Sequence, residues 1–362
     1  MQTISLCMIV KNEEDVLERC LSGASPLADE IIIVDTGSTD RTKEIAARFT
    51  DHVYDYPWQD DFAAARNFAF SKAACDYQLW LDADDVIPPD SLQKLLTLKA
   101  ELSPDTDVVM LPYHIAFDEN GAPTFAYERE RLLRREKRFR WTGAVHEVVT
   151  PSGNILHYDA PIEHRKLRVA DPERNLRIFE RLQNEGHPLD TRQKFYYARE
   201  LYYHERYADA LSVYADFFAQ SDAWIEDRIT ACLHRAECLL ALGREGDALR
   251  SLSESFVYAA PRAEICCAIG HIFMKQEQYA RAAFWYETAL RTEFSAETSG
   301  FSQPDCHDFI PLMQLCVCHD RMGNLRLASA YNEKAGRIKP CHHNVAQNRM
   351  YFRKRLALED LQ

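Results

Sequence analysis

The sequence has 362 residues, 46% of them hydrophobic and 27% charged, the balance of a globular protein of two or three domains. Lys and Arg number 43 against 56 Asp and Glu, and the net charge of −13 argues against a general nucleic-acid binder, which needs a basic footprint. With 12 Gly, 15 Pro and no apolar run near the ~18–20 residues of a spanning helix, long flexible tracts and a transmembrane segment are excluded as well.

From the start of the chain, short β-branched runs alternate with helical patterns. Residues 4–10 predict a strand and residues 13–20 open a helix. The apolar start of the chain has no basic n-region before it and runs into acidic residues, so no secretory signal is expected. Residues 31–34 predict a second strand, 39–49 a helix, 52–56 a strand and 62–74 a helix. Residues 77–81, 89–99 and 107–114 continue as strand, helix and strand. Strands alternating with helices of this length indicate βαβ units and a mostly parallel sheet. The runs at Ile31 and Leu79 are apolar without alternation, as in strands buried on both faces.

The grammar changes near residue 170, which divides the chain into an α/β domain, 1–170, and an all-α domain, 171–362. Small residues recur within similar stretches at 207–211, 246–249, 278–282 and 323–328, and aromatics such as Tyr196, Phe217, Phe284 and Tyr286 fill the spaces between helices. These helix pairs resemble tetratricopeptide repeats, interrupted by an insertion at 293–305. An irregular helical bundle is the plainer alternative.

Two motifs carry chemistry. Residues 79–85 read L-W-L-D-A-D-D, with Asp82 and Asp84 at the carboxyl end of a buried strand, the sheet edge where ligands bind in open α/β folds. Two carboxylates around one small residue suit a hard divalent ion that also holds phosphate oxygens. The plainer reading makes one a helix cap and the others solvated turn residues. Residues 31–40 read I-I-I-V-D-T-G-S-T-D. They place Asp35 at the same edge, where a carboxylate can accept from a base N–H or a ribose hydroxyl, and leave Asp40 as a cap. Neither motif is a dinucleotide or P-loop fingerprint.

M-I-V-K-N-E-E at 8–14, V-D-T-G-S-T-D at 34–40 and D-A-D at 82–84 together resemble the family 2 glycosyltransferases of the GT-A fold, over about residues 3–165. W-Q-D-D-F-A-A-A-R-N at 58–67 and W-T-G-A-V-H-E at 141–147 resemble the branch with lipopolysaccharide-core glucosyltransferases and the peptide S-glycosyltransferases of bacteriocins. Many members carry a second Asp where this chain has Thr36. The resemblance implies a GT-A, Rossmann-like, mostly parallel sheet followed by the tetratricopeptide-like domain. It implies an inverting transfer from a nucleotide-diphospho-sugar, a UDP-sugar first, with Mn²⁺ or Mg²⁺ as cofactor. Val10, Asn12, Glu13 and Asp35 would face the nucleoside and Arg66 the base or phosphates, with Asn67 fixing the loop. Asp82 and Ala83 would lie at the donor sugar or ribose. Asp84 would hold the metal, with Asp82 through water and His164 completing the site. Glu147 would be the base, with His146 as runner-up, and Trp141 would stack on a sugar or simply pack. The acceptor would be a peptide Cys, Ser or Thr, or a glycan. The helical domain would bind the acceptor or pair two copies as a homodimer.

The remaining features are weaker. The eleven cysteines sit mostly in buried patterns and read as reduced thiols of a cytoplasmic protein. Cys306, His307, Cys316, Cys318, His319, Cys341, His342 and His343 lack the C-x-x-C spacing of a zinc site and are assigned to helix packing. The basic run at 129–140 reads as a solvated strand or loop, or as a rim for an acidic acceptor or the diphosphate. Two rivals remain. A sugar-phosphate nucleotidyltransferase would want a Gly-rich basic loop after the first strand, which residues 8–13 lack. A repeat scaffold would bind nucleotide-sugar without turnover.

Overall fold

The computed structural model describes residues 2–117, 121, 123–167, 171–293 and 303–359. It divides into two compact units, Met1–Pro188 and Leu189–Gln362.

In the first unit, strands β1 Ile4–Val10, β2 Glu30–Asp35, β3 Val53–Asp55, β4 Tyr77–Trp80, β5 Asp85–Val86, β6 Val108–Phe117, β7 Pro123–Arg134, β8 Trp141–Thr142, β9 Val148–Val149, β10 Ile155–His157 and β11 Ile162–His164 occur with helices α1 Leu17–Ala24, α2 Thr42–Ala46, α3 Phe62–Lys72, α4 Pro89–Glu101 and α5 Arg174–Asn184. The main sheet runs β3-β2-β1-β4-β7-β6-β11-β5, with β10 on β6 and a separate β8–β9 hairpin. β1 to β4 pair in parallel, and β7 enters antiparallel between β4 and β6.

The pleat sorts each strand between two cores. Ile4, Leu6 and Met8 face α1 and α4, packed with Leu17, Leu21, Leu95 and Leu98. Cys7, Ile32, Val34 and Trp80 face the other side, against Ala69 and Phe70 of α3 and against Trp141. The double-sided burial matches the unalternating apolar runs. α3 starts where the Asp61 carboxylate accepts from the Ala64 N–H, and α4 starts with proline at its first position. α2 starts later than the predicted 39, where Asp40 accepts from the Thr42 N–H and hydroxyl and from the Glu14 N–H, and it ends at Ala46 rather than 49.

The basic run is corrected here. Its first part belongs to β7, inside the sheet, and Arg131 is 0% exposed. Charges survive there because each finds a partner: Arg131 pairs with Asp85, and Arg129 with Glu130.

The units part at Pro188 rather than at 170, because α5 is tied to the first unit. Arg181 donates to the Gln59 carbonyl at 2.8 Å, and the Arg174 guanidinium lies 4.6 Å from the centre of the Phe62 ring.

The second unit contains α6 Thr191–Tyr203, α7 Tyr207–Phe218, α8 Ile225–Ala241, α9 Glu245–Glu254, α10 Ala263–Lys275, α11 Tyr279–Ala289, α12 Phe309–Arg321, α13 Leu325–Ile338 and α14 His343–Glu359. Eight of these form helix pairs built alike. Each turn places one residue in the left-handed region: Glu205, Gly243, Glu277 and Gly323. The next N–H, of Arg206, Arg244, Gln278 and Asn324, returns to a carbonyl in the first helix. Each second helix then buries an alanine completely: Ala210, Ala248, Ala282 and Ala328. These are the recurring stretches of the sequence, so the array is tetratricopeptide-like. The insertion at 293–305 lies largely outside the described residues. Cys306, Cys316 and Cys318 are buried among helices, and His319 stacks on Tyr331. No helix among the described residues is long and apolar enough to cross a membrane.

Candidate active site

A cleft of ≈ 850 Å³ opens beyond the carboxyl ends of β1 and β4. Val10, Asn12, Glu13, Arg66, Asp82, Ala83, Asp84, His146, Glu147 and His164 all line it. Asp35, Asn67 and Trp141 are not among its lining residues.

Asp35 ends β2 and is 2% exposed. Its Oδ1 accepts from the N–H groups of Gly37 and Ser38, at 3.0 and 2.9 Å. Its Oδ2 is buried with no hydrogen-bond partner among the described residues. A buried carboxylate oxygen left unpaired is costly unless a donor reaches it. Thr36 turns its hydroxyl back to the Val10 carbonyl. Asn12 takes a left-handed φ of 55° and accepts from the Thr39 N–H, while its own N–H reaches Ser38 Oγ. Its carbonyl oxygen is therefore committed to joining two loops, although the sequence assigned it to the nucleoside.

Beyond β4 the chain passes through Asp82, Ala83, Asp84 and Asp85. The ligand atoms of Asp84, Asp85 and His164 lie within 4.8 Å of one another. His164 Nδ1 is 3.2 Å from Asp84 Oδ1 and 3.5 Å from Asp85 Oδ1. Hydrogen bonds to Asp84 and Asp85 hold the imidazole protonated far above its ordinary range, up to about 10. Asp85 is wholly buried and accepts from Tyr113 Oη at 2.7 Å, Arg131 at 2.9 Å and the Asp82 N–H at 3.0 Å. Burial, then Asp85 and Asp82, push the Tyr113 phenol well above its usual value, so it stays a donor.

Asp82 does not join this group. Its Oδ1 is held by Arg66 at 2.7 Å. Burial raises its carboxyl, but Arg66 and Arg131 outweigh that and keep it below the usual carboxylate range. Arg66 also holds Glu147 Oε1 at 2.6 Å, beside the rings of Trp80 and Trp141.

Residues 5–159 match the family described as Glycosyl transferase family 2. The N-terminal unit carries a family 2 glycosyltransferase domain. The chain is 36% identical over 163 residues to a TPR repeat-containing protein of Synechococcus elongatus, covering 44% of this chain and 39% of that protein. It is 30% identical over 148 residues to the SPbeta prophage-derived glycosyltransferase SunS of Bacillus subtilis, 40% of this chain and 34% of that one. It is also 30% identical over 162 residues to the lipopolysaccharide core biosynthesis glycosyltransferase LpsC of Rhizobium meliloti, 42% of this chain and 58% of that one. The match thus spans about one third to somewhat over half of these relatives' own lengths.

In this family 2 domain the expected sugar-stacking role of Trp141 is withdrawn. The ring is 2% exposed and packs edge-on against Trp80 and Phe70, 5.0 and 5.9 Å between centroids. A buried ring has no free face for a sugar. The Asn67 amide pairs with the Trp141 backbone in both directions, at 2.9 and 3.0 Å.

Several residues at the cleft or buried behind it escaped the sequence reading. Asp85 is the third carboxylate of the motif, and its repetition in D-A-D-D was the available signal. Tyr113 and Arg131 carried none, because they matter only through Asp85. Trp58 and Phe62 line the cleft edge-to-face at 4.7 Å, from the W-Q-D-D-F run.

Proposed function

We propose that this protein transfers a hexosyl group, with inversion, from a nucleotide-diphospho-sugar to an acceptor, acting in the cytoplasm. A UDP-sugar is the first candidate donor. The observation that carries this reading is one cleft at the carboxyl edge of parallel strands that gathers Asp84 and His164 beside Arg66, Asp82 and Glu147.

Asp84 and His164 suit Mn²⁺ or Mg²⁺, because a carboxylate and an imidazole face the cleft while Asp85 backs them. Bound there, the ion would act as a Lewis acid for the departing diphosphate. His164 must give up its proton to serve as a ligand. Asp35 Oδ2 offers an unpaired acceptor for a base N–H. Val10, Glu13 and Ala83 shape the nucleoside wall, and Asp82 faces the ribose or donor sugar. Glu147 takes the acceptor proton, with His146 beside it. The acceptor proposed first is a Cys, Ser or Thr of a peptide recruited by the helical unit, since tetratricopeptide-like arrays bind extended peptides. Likeness to LpsC supports a glycan acceptor instead. Self-association through the helical unit belongs to the same reading.

A thermal-shift panel of UDP, GDP, CDP and dTDP, with and without Mn²⁺, tests it on wild type and Asp84→Ala. A ligand at ~100 times its dissociation constant adds roughly 2.7 kcal/mol, several degrees of melting point. A shift for one nucleotide with Mn²⁺, lost in Asp84→Ala, is the expected result. No shift with any nucleotide would overturn the reading and leave the non-catalytic scaffold.

A further inference from the structure

We infer that Arg66 is a positioning residue for the acceptor base and not a contact to the donor. The inference rests on the glycosyl-transfer reading above. Arg66 is 7% exposed, and two of its guanidinium nitrogens are already held by carboxylates. Nε donates to Glu147 at 2.6 Å and Nη2 to Asp82 at 2.7 Å. Its guanidinium carbon lies 5.0 and 4.8 Å from the ring centres of Trp80 and Trp141. Turning away to a base or a phosphate would leave the shielded Glu147 carboxylate without its cation, which is strongly unfavourable.

The same short stretch of α3 grips the Glu147 loop at two further points. The Phe62 N–H donates to the Ala144 carbonyl at 2.9 Å, and Asn67 pairs with the Trp141 backbone. The loop between β8 and β9 passes through left-handed conformations at Gly143 and His146, so its path is set by these anchors. Glu147 is therefore held by one oxygen. No hydrogen bond reaches Oε2 among the described residues, and the residue lines the cleft. Fixing one oxygen leaves the other available for the acceptor proton. In the transfer, the acceptor O–H or S–H gives its proton to Glu147 while its electron pair forms the bond to the anomeric carbon. The bond from that carbon to the diphosphate oxygen breaks, and its pair leaves with the nucleotide. Arg66 stays paired throughout, which keeps Glu147 oriented beforehand. Through Asp82, the same cation links this base to the D-x-D segment.

The test is a double-mutant cycle on the full chain, with UDP-glucose and Mn²⁺ as probe. UDP release measures turnover, with water as acceptor, and UDP binding is titrated separately. Glu147→Gln is expected to lower turnover by roughly 10²–10⁴-fold. Arg66→Lys is expected to lower it by roughly 10²-fold, as a displaced catalytic group does, with UDP affinity within about twofold of wild type. The double variant should be no slower than Glu147→Gln alone, because Arg66 acts through Glu147. Asn67→Ser loosens the same clamp without touching either charge. It should lower turnover with donor binding intact, and it serves if Arg66→Lys does not fold. Weakened UDP binding in Arg66→Lys, or losses that multiply in the double variant, would overturn the inference while leaving the glycosyl-transfer reading in place. A wild type that turns over no nucleotide-sugar would overturn both.

Discussion

Arg131 sits where a charge is hardest to keep. It is 0% exposed, sandwiched against Trp80 and Tyr113 at 3.9 and 4.3 Å from the ring centres, with only Nη1 hydrogen-bonded, to Asp85 and the Trp80 carbonyl. Nε and Nη2 are buried with no partner among the described residues. The pair is thus a poor source of stability in itself, yet breaking it is costly, since Asp85 would lose its guanidinium partner in the core. Arg131→Met is expected to destabilise the first unit by about 3–5 kcal/mol, a melting-point loss of about 10 °C. Arg131→Met with Asp85→Asn should recover most of that, because no charge is then stranded. A double variant as unstable as the single would show that packing of the guanidinium, not its charge, holds the site. Asp85 also accepts from the Asp82 N–H and stands 3.5 Å from His164, so neither variant should bind UDP with Mn²⁺ as wild type does.

What the sequence could show at this scale follows from distance along the chain. Asp35 and the D-A-D were legible because a strand end and its carboxylate are neighbours in sequence. The burial of Arg131 was not, because Asp85 lies 46 residues away, and a charged run without its partner reads as surface. Glu147 and Arg66 are 81 residues apart, so each was assigned a separate task. Trp141 was misread for the same reason: its neighbours Trp80 and Phe70 come from other elements.

At the scale of elements, the strands β1 and β2 were legible because burial on both faces leaves a run of apolar residues. β7 was hidden because its charges are neutralised only after folding. In the second unit the helix pairs were legible through their buried alanines, but what locks one helix to the next was not. His234 of α8 is such a lock. It stacks on Tyr202 of α6 at 4.8 Å and 12°, and lies 3.3 Å from the Tyr214 hydroxyl of α7. Burial, then the charge on Arg199, depress its pKa to about 3. The folded state therefore favours the neutral ring, while the unfolded chain takes up a proton near pH 6.5. Unfolding binds protons between those values, so the contribution is fully present above pH 6.5 and is lost as pH falls towards 3. The loss is roughly 2–4 kcal/mol, because the ring keeps some solvent contact. His234→Gln should be less stable at pH 7, and the difference from wild type should shrink as pH falls. Urea midpoints of both proteins at pH 7, 5 and 4 measure this, and a difference constant with pH would mean that His234 does not titrate across the transition.

On the scale of the whole molecule, the two units have the makings of independent folding bodies. The cores around Leu6 and Trp80 are built from the first unit, and those around Ile269, Cys318, Ala335 and Phe352 from the second. Each unit is in the size range at which a single chain buries enough surface to fold alone. The residues that line the cleft all fall within Met1–Pro188, including Arg174 and Arg177 of α5. Residues 1–188 and 189–362, expressed apart, are therefore each expected to unfold cooperatively in urea, and the first alone should keep the Mn²⁺-dependent affinity for UDP. A cut at 170 should do worse, since it removes Arg181 from the Gln59 carbonyl and Arg174 from Phe62. Those contacts hold α5 beside the W-Q-D-D-F segment that lines the cleft. If the fragment ending at 170 bound UDP as tightly as the one ending at 188, α5 would be dispensable for the donor and would belong to acceptor capture instead. If residues 189–362 failed to fold alone, the helical array would depend on the rest of the chain for its stability, as tetratricopeptide-like arrays without capped ends do.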